Sequence, residues 1–581
     1  KKQARDTVRR QSVIPAPRGK IYDRYFDLPL VANRGVFAVD IIPAEVPASS
    51  RNEIYHSLAR LLKLPIHTIE QAVGSTQGNS YQPVQIQGNV DFETIVFLAE
   101  HNQQLPGVSW RRMHLRQYLA TSSMAHIIGY VGYIAPEELR VLYNSGYRAG
   151  DVLGKGGIEK QYDQFLRGKN GLRIYEVDVW ERNVNRNHET EEVPPEPGKD
   201  LVLTLDRRIQ LLSEKALGER IGSVVVLKPA TGEILAMVSY PHFDLNLFSS
   251  HKGAETFSRL SLDDRFPFIN RAIQSAYPPA STFKIVLAAA LLEEEVFPAT
   301  RQVLCTGSFS YGDREFSCWL KSGHGLVDLF SGLAQSCDVY FYTVGVALGA
   351  ERISDYARGF GLAQISGIDL PGEVPGFIPS PRWKQGALHQ PWVGGDTVNM
   401  SIGQGYVTAT PLQMANLVAM IVNKGTVYRP HLLLEVRNPD SGEVLHSTRP
   451  ETLMVSAIKR ETFRFVQEAM RGVVTEGTAQ LVITTEAVEI AGKTGTAEVG
   501  LAESWHSWFI GYAPYRTDQP EERVVVVVMV EAENQWEWWA PKAANLIFHG
   551  IFTGQSYEET LDTLRPWWYI QQLQRERSAA D

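Results

Sequence analysis

Ser281 and Lys284 have the residue types and the spacing that serine-based acyl transfer requires. Two prolines precede the pair and the apolar residues 285–292 follow it, which predicts that both lie in the first turn of a buried helix. Side chains three positions apart on a helix share a face, so the serine and the lysine would be neighbours. A serine hydroxyl is a weak nucleophile without a base, and a lysine can be that base only while dry surroundings keep it neutral.

Spacing alone leaves an alternative, because Ser-x-x-Lys also occurs as a capping pattern on surface helices. Two later stretches favour chemistry: Ser336-Cys337-Asp338 precedes an aromatic run, and Lys493-Thr494-Gly495-Thr496 lies between apolar segments. A serine nucleophile, a second serine and a strand lysine in this order match the serine acyl-enzymes that react with penicillin. The candidate catalytic residues are Ser281, Lys284, Ser336 and Lys493, and the candidate substrate-binding residues are Asp338, Thr494, Gly495 and Thr496.

The three cysteines of the chain, Cys305, Cys318 and Cys337, fall close together with His324 between them. Three thiolates and one imidazole complete the tetrahedral shell of a structural zinc ion and leave no open position for catalysis. The alternative is a disulfide between Cys305 and Cys318, with Cys337 as a small buried residue. The clustering favours the metal. Because Cys337 lies inside the second motif, a zinc ion there would hold the neighbouring Ser336 in place.

The elements that position these residues are predicted from runs of apolar and β-branched residues. Residues 224–227, 234–238, 507–512 and 524–531 read as strands of a sheet that is covered on both faces, and helical patterns lie between them. We therefore predict a mixed α/β catalytic domain over residues 216–570, followed by a solvated tail over residues 571–581.

The N-terminal part of the chain, residues 1–215, is predicted to form a separate non-catalytic module. Short strands are predicted from residue 18 to residue 46. A helical insert is predicted to follow over residues 49–149, because apolar residues recur there at helical spacing. This insert is the candidate partner-binding head.

Composition excludes some classes of function. Lys and Arg together number 57 against 65 for Asp and Glu, a net charge of −8, so the basic surface of a nucleic-acid-binding protein is missing. No apolar stretch reaches the roughly 18 residues of a membrane-spanning helix, and the first residues lack the apolar segment of a signal peptide. We expect the chain itself to be soluble.

Taken together, the motifs resemble those of class B penicillin-binding proteins, and the resemblance runs from Arg18 almost to the C-terminus. Residues 18–24, 125–132 and 157–168 are similar to the N-terminal motifs of that family. A zinc site beside the active serine resembles a feature of the elongation-type branch of this family. The resemblance implies a serine β-lactamase-like transpeptidase domain, with a five-stranded sheet between helices, on an elongated N-terminal pedestal.

The resemblance also implies roles for the residues. Ser281 would attack the carbonyl of the penultimate D-alanine of a stem peptide, with Lys284 as general base, and Ser336 would relay the proton to the leaving amine. The backbone N–H groups of Ser281 and Thr496 would form the oxyanion hole. Lys493 would add positive field that helps to keep Lys284 neutral, and the two threonines of the third motif would hold the terminal carboxylate.

The implied function is a peptidoglycan D,D-transpeptidase that cross-links stem peptides during cell elongation and is acylated by β-lactams. Implied partners are a membrane glycosyltransferase and scaffold proteins of the elongation complex. An anchor upstream of this chain would hold it at the bacterial inner membrane, with the catalytic domain in the periplasm. Two alternatives stay open: a hydrolase of the same fold (a D,D-carboxypeptidase or β-lactamase), and a non-catalytic β-lactam sensor or wall-assembly scaffold.

Two positions depart from the family pattern. Asp338 stands where asparagine is usual, and an ionised carboxylate beside Lys284 would oppose its role as base unless Asp338 is protonated or pairs with Lys493. Ala280 stands where many relatives have glycine. We expect this change to cost little, provided that the backbone at Ala280 is ordinary.

Overall fold

The computed structural model describes residues 8–74, 83–177, 191–249, 253–500 and 504–580. The strands in chain order are β1 (Val8–Ile14), β2 (Ile21–Tyr22), β3 (Pro29–Ile41), β4 (Val84–Val90), β5 (Val108–Tyr118), β6 (Val131–Tyr133), β7 (Val152–Gly154), β8 (Gly171–Val177), β9 (Glu191–Val193), β10 (Asp200–Leu203), β11 (Gly222–Leu227), β12 (Ile234–Tyr240), β13 (Val303–Cys305), β14 (Ser308–Tyr311), β15 (Arg314–Ser317), β16 (Gly325–Val327), β17 (Thr426–Tyr428), β18 (Leu433–Arg437), β19 (Val444–Ser447), β20 (Thr452–Val455), β21 (Ala491–Val499), β22 (Ser504–Ala513) and β23 (Val524–Ala532).

The α-helices in chain order are α1 (Arg51–Leu62), α2 (Ile66–Gly74), α3 (Phe92–Glu100), α4 (Ala125–Ile128), α5 (Pro136–Leu142), α6 (Gly157–Gln161), α7 (Asp163–Leu166), α8 (Arg207–Leu217), α9 (Gly253–Ser261), α10 (Lys284–Glu294), α11 (Leu329–Ala334), α12 (Asp338–Leu348), α13 (Ala350–Gly359), α14 (Pro381–Leu388), α15 (Gly394–Ser401), α16 (Pro411–Val422), α17 (Arg460–Thr475), α18 (Trp539–Thr553), α19 (Tyr557–Leu564) and α20 (Trp567–Ala580).

Five antiparallel strands form the sheet of the catalytic domain, in the order β12-β11-β23-β22-β21. Val525 and Val527 of β23 join one apolar core, whereas Val526 and Val528 join another. Successive side chains of a strand point to opposite faces, so both faces of this sheet are buried. Helices α10 and α16 contribute to the first core, and α8 and α18 to the second. The predicted five-stranded sheet between helices is confirmed.

The N-terminal module is built on strands to a greater extent than the sequence suggested. Long strand β3 pairs with both β4 and β5, and their sheet continues through β2 and β10 to β18 and β19. Helices α1 and α3 are present where helical spacing predicted them. The predicted helical insert over residues 49–149 contains strands as well as helices, because β4 and β5 lie within it. Their pairing with β3, which lies earlier in the chain, is a tertiary effect that periodicity within the insert does not reveal.

A buried network of charges locks the first strands of this module to its short helices. Arg18 donates to Glu159 and forms an ion pair with Asp163, each at 2.6 Å, and Arg116 donates to the other oxygen of Glu159 at 2.6 Å. The Glu159 side chain is fully buried. Removing one partner would leave a buried charge unpaired, so the network holds Arg18 and β5 to helices α6 and α7.

The end of the chain also differs from the prediction. Residues 571–580, expected to be a solvated tail, continue helix α20. The run of Gln, Glu, Arg and Ala in this segment consists of strong helix formers and extends the helix begun at Trp567. None of the helices in the described ranges combines the length and the apolar character needed to cross a membrane.

Candidate active site

The turn that carries Ser281 begins the longest buried helix segment of the site. Residues Ala280–Phe283 form one 3-10 turn, and α10 follows directly from Lys284. Every residue of α10 from Lys284 to Leu291 is buried, which is why its sequence is apolar all round. Ser281 is half-buried, whereas the Lys284 side chain has no exposed surface. The nucleophile is therefore partly accessible to solvent, whereas its lysine is not.

Ser336 lies where both catalytic lysines meet. Lys284 Nζ donates to Ser336 Oγ at 3.2 Å and to the Ser336 carbonyl at 2.9 Å, and Lys493 Nζ lies 2.8 Å from the same Oγ. The backbone of Ser336 has a φ of +56°, a left-handed conformation that non-glycine residues rarely adopt. Such strain concentrates at functional sites, where it aims a side chain that a regular helix would direct elsewhere.

Asp338 pairs with Lys284, and the alternative in which it pairs with Lys493 is wrong. Its Oδ1 accepts from Lys284 Nζ at 2.7 Å, and its Oδ2 accepts from the backbone N–H of Trp319 at 2.8 Å. Both carboxylate oxygens are thus engaged within the protein. Its assignment to substrate binding stays a prediction. Sequence reasoning missed Trp319, although its position directly after Cys318 could have suggested a link between the cysteines and the second motif.

Lys493 is the lysine whose charge the site disfavours. Complete burial, followed by the positive charge of Lys284, lowers the pKa of Lys493 well below its usual value, although Asp338 opposes this effect. A neutral amine 2.8 Å from Ser336 Oγ can accept a proton from that hydroxyl. The predicted roles, with Lys493 as the charged neighbour and Lys284 as the neutral base, stay predictions.

Strand β21, which carries the third motif, is the edge strand of the sheet and lies against the nucleophile turn. A Cβ on Gly495 would lie 3.1 Å from the Pro279 carbonyl oxygen and 3.1 Å from Thr282 Cγ2, so glycine permits the close approach. Thr494 Oγ1 lies 2.6 Å from the hydroxyl of Thr478, another residue that sequence reasoning missed. Thr494 and Thr496 are half-buried beside this free edge, where an extended peptide could pair with the strand.

The loop after α15 packs against the other side of the nucleophile turn. The Ala280 N–H donates to the Gly403 carbonyl at 3.0 Å, and a Cβ on Gly403 would lie 2.4 Å from the Ala280 carbonyl oxygen. Ala280 itself has a φ of +51°. The condition under which alanine is expected to cost little, an ordinary backbone, is therefore not met, and a left-handed L-residue costs about 1–2 kcal/mol.

The three cysteines and His324 converge at one point. One potential ligand atom from each residue lies within 4.8 Å of the others, and His324 Nδ1 is 3.6 Å from the sulfurs of Cys305 and Cys318. All three cysteines are buried, and none forms a disulfide. A hydrogen bond between the side chains of Cys318 and Cys337 lowers the pKa of Cys318 and raises the pKa of Cys337. The predicted ligand set is thus brought together in space.

Comparisons with known proteins identify the family. Residues 222–553 match the penicillin binding protein transpeptidase domain, and residues 13–203 match the penicillin-binding protein dimerisation domain. The chain belongs to the penicillin-binding protein transpeptidases. This confirms the predicted family and the predicted class of serine-type acyl-transferring enzyme.

Curated relatives of this penicillin-binding transpeptidase include proteins named peptidoglycan D,D-transpeptidase MrdA. The one from Haemophilus influenzae is 33% identical over 91% of this chain and 83% of its own length. The one from Escherichia coli K12 is 32% identical over 91% of this chain and 86% of its own length.

Solved structures agree on the whole architecture. A complex of penicillin-binding protein PBP2 with MreC from Helicobacter pylori has a TM-score of 0.81 and 25% identity, covering 94% of this chain and 99% of that one. A structure described as a peptidoglycan synthase complex that coordinates polymerization and crosslinking has a TM-score of 0.74 and 30% identity, covering 95% and 92% of the two chains.

Proposed function

We propose that this penicillin-binding transpeptidase cross-links peptidoglycan stem peptides through an acyl-enzyme on Ser281. The observation that carries the proposal is the convergence of two buried lysines on Ser336 Oγ, beside a half-buried Ser281 and a free strand edge. The family match and the names of the relatives support D,D-transpeptidation as the reaction, as the sequence predicted.

The chemistry follows from the contacts. A donor peptide pairs along β21, with its terminal carboxylate near the hydroxyls of Thr494 and Thr496. Ser281 attacks the carbonyl of the penultimate D-alanine, and its proton passes into the buried network of Lys284, Ser336 and Lys493. Ser336, which both lysines contact, then delivers a proton to the leaving D-alanine amine. The backbone N–H groups of Ser281 and Thr496 stabilise the oxyanion.

Cys305, Cys318, His324 and Cys337 would hold one Zn²⁺ ion in a structural role. Their donor set fits, because three thiolates and one imidazole are the preferred ligands of a structural zinc site. Their spacing fits as well: zinc–sulfur bonds of about 2.3 Å in a tetrahedron separate ligand atoms by about 3.8 Å, and the four atoms here lie within 4.8 Å of one another. The ion would fix the loop that ends at Ser336 and supply no reacting group.

The proposed setting is the elongation complex of a bacterial cell. Solved relatives in a complex with MreC and in a peptidoglycan synthase complex support elongation-complex proteins as partners, and the resemblance implies a membrane glycosyltransferase among them. The resemblance implies that an N-terminal anchor holds the protein at the inner membrane, with the catalytic domain in the periplasm. The N-terminal module would be the partner-binding part.

The reaction is tested by intact-protein mass spectrometry after mixing with benzylpenicillin. We expect one long-lived penicilloyl adduct on Ser281 and none on the Ser281→Ala variant. Rapid loss of the adduct would favour a hydrolase of the same fold instead. Cross-linking in cells that persists when Ser281→Ala replaces the wild-type chain would favour a sensor or scaffold that acts without this chemistry.

A further inference from the structure

A cavity of about 280 Å³ lies beside the turn that carries Ser281 and has no role in the acylation chemistry. We propose that it binds the acceptor peptide, whose primary amine resolves the acyl-enzyme. The proposal rests on the transpeptidase function and assigns a site for its second substrate. The residues that line the cavity include Trp392, Asp396, Asn399, Gln404 and Tyr406.

The position of the cavity is set by the two segments that flank the nucleophile turn. Gly495 of β21 packs against Pro279 and Thr282, whereas Gly403 packs against Ala280 and Phe283. Gln404, which lines the cavity, directly follows Gly403. Gly403 therefore links the cavity to the nucleophile turn, because it contacts the turn and adjoins Gln404 in the chain.

Transpeptidation needs two peptide strands at one serine, and they cannot share a site. The free edge of β21 offers backbone hydrogen bonds to one extended strand, which we assign to the donor. The acceptor must reach the ester carbon from another direction. The loop that contains Gly403 meets Ala280 and Phe283, which differ from the turn residues that Gly495 of β21 meets, and we assign its cavity to the acceptor.

The lining suits a short peptide with a long side chain. Trp392 and Tyr406 supply aromatic rings that can pack on an aliphatic side chain, and Tyr406 contacts Trp383, with ring centroids 5.1 Å apart. Asn399 and Gln404 each offer an amide that both donates and accepts, as a peptide main chain requires. Cavities of about 300 Å³ are at the small end of ligand sites, a size that suits a short peptide segment.

Asp396 gives the cavity a place for the amine. Its Oδ2 accepts from Lys384 Nζ at 2.6 Å and from the backbone N–H of Val393 at 2.8 Å, and no hydrogen bond within the described ranges uses Oδ1. Asp396 Oδ1 can therefore accept a hydrogen bond from the N–H of a ligand. Because Lys384 neutralises this carboxylate, the site can orient an amine without holding it as an ammonium ion, which could not attack.

The proposed step balances without any further reagent. The amine nitrogen attacks the ester carbon on Ser281, so a C–N bond forms and the bond from that carbon to Ser281 Oγ breaks. The nitrogen loses one proton, and Ser281 Oγ gains one through the same network of Ser336 and the two lysines. The released serine is ready for another donor.

The experiment separates acceptor binding from acylation. A synthetic D-alanyl-D-alanine thioester would acylate Ser281, and stem tripeptides with a free side-chain amine, in lysine and diaminopimelate forms, would serve as acceptors. The ratio of aminolysis to hydrolysis is measured by mass spectrometry over a series of acceptor concentrations. Penicillin acylation, which needs no acceptor, is measured in parallel.

We expect Tyr406→Ala and Asn399→Ala to lower the aminolysis ratio by about five- to tenfold, as loss of one binding contact would. Their penicillin acylation rates should stay within about twofold of wild type, since no acceptor takes part. Tyr133→Ala, at a tyrosine that is 58% exposed in the N-terminal module, is the matched control and should change neither quantity.

Two results would overturn the proposal. An unchanged aminolysis ratio in both variants would place the acceptor elsewhere, and a parallel fall in penicillin acylation would show that the cavity supports the nucleophile turn instead. Failure of the wild-type chain to acylate at all would count against the transpeptidase function and is seen separately from either result.

Discussion

Lys284 Nζ lies 2.7 Å from Asp338 Oδ1, so the lysine next to the nucleophile is half of a buried ion pair. The other oxygen of Asp338 accepts from the Trp319 N–H, one residue beyond a proposed zinc ligand. Asp338 thus connects the catalytic lysine to the cysteine cluster. Within the described ranges Lys284 has a carboxylate hydrogen-bond partner, whereas the hydrogen bonds of Lys493 go to the Ser336 hydroxyl and the Thr494 carbonyl.

Replacing Asp338 by asparagine should weaken this connection. Asparagine has one acceptor oxygen for two buried donors, so either Lys284 or the Trp319 N–H loses its partner. We expect Asp338→Asn to lower stability by about 1–3 kcal/mol, the cost of an unsatisfied buried group, and to slow penicillin acylation. Melting temperature and acylation rate constants measure both effects. The exposed Asp313→Asn is the matched control, and wild-type values for Asp338→Asn would show that the ion pair is dispensable.

Gly403 and Gly405 provide a test of how closely the nucleophile turn is packed. Both have left-handed backbones, with φ of +69° and +73°, so alanine at either costs about 1–2 kcal/mol. A Cβ on Gly403 would also lie 2.4 Å from the Ala280 carbonyl oxygen, whereas the nearest atom to a Cβ on Gly405 is 3.6 Å away.

We expect Gly403→Ala to slow penicillin acylation about tenfold or more, since about 1.4 kcal/mol of misplacement is one factor of ten in rate. Gly405→Ala should acylate at the wild-type rate, although the melting temperatures of both variants fall. Equal acylation rates in the two variants would mean that the turn tolerates displacement.

The sequence was informative where a local pattern determines the structure. Residue types and order predicted the serine-lysine turn and the cysteine cluster, and continuous apolar runs predicted the sheet strands. Pairing between distant segments was not visible: β4 and β5 read as part of a helical insert because their partner β3 lies earlier in the chain. Nor could spacing show that Asp338 pairs with Lys284, since that depends on the left-handed backbone of Ser336.

The lowered pKa of Lys493 makes stability depend on pH. In the unfolded chain Lys493 has its ordinary pKa of 10.5 and binds a proton below that pH. In the folded chain its pKa is lower, so between the two pKa values the folded lysine is neutral and the unfolded one is charged. The unfolded state then binds more protons, so the free energy of unfolding rises with pH between the lowered pKa and 10.5, by at most about 1.4 kcal/mol per pH unit.

The Lys493→Met variant lacks this titration. We therefore expect wild type to gain stability relative to Lys493→Met as pH rises from about 7 to 9, measured by urea midpoints at each pH, with the exposed Lys321→Met as control. Parallel curves for wild type and Lys493→Met would mean that the buried lysine keeps its proton. Acylation by Lys493→Met should be slower at every pH, because Ser336 Oγ loses its 2.8 Å partner.

Metal removal tests the link from the cysteine cluster to the active site. We expect about one zinc ion per chain by elemental mass spectrometry, and three thiols per chain with a thiol reagent after chelation and denaturation; a Cys305–Cys318 disulfide would leave one. Chelation should lower the melting temperature and slow penicillin acylation about tenfold or more, the size typical of lost support around a metal site. The reason is positional: Cys337 adjoins Ser336, and Cys318 adjoins the Trp319 N–H that holds Asp338.

Cys305→Ser supplies the control, because a variant already lacking metal should be slow before the chelator is added and no slower after it. Acylation at the wild-type rate by chelated protein would show that the ion stabilises the loop without positioning the catalytic residues.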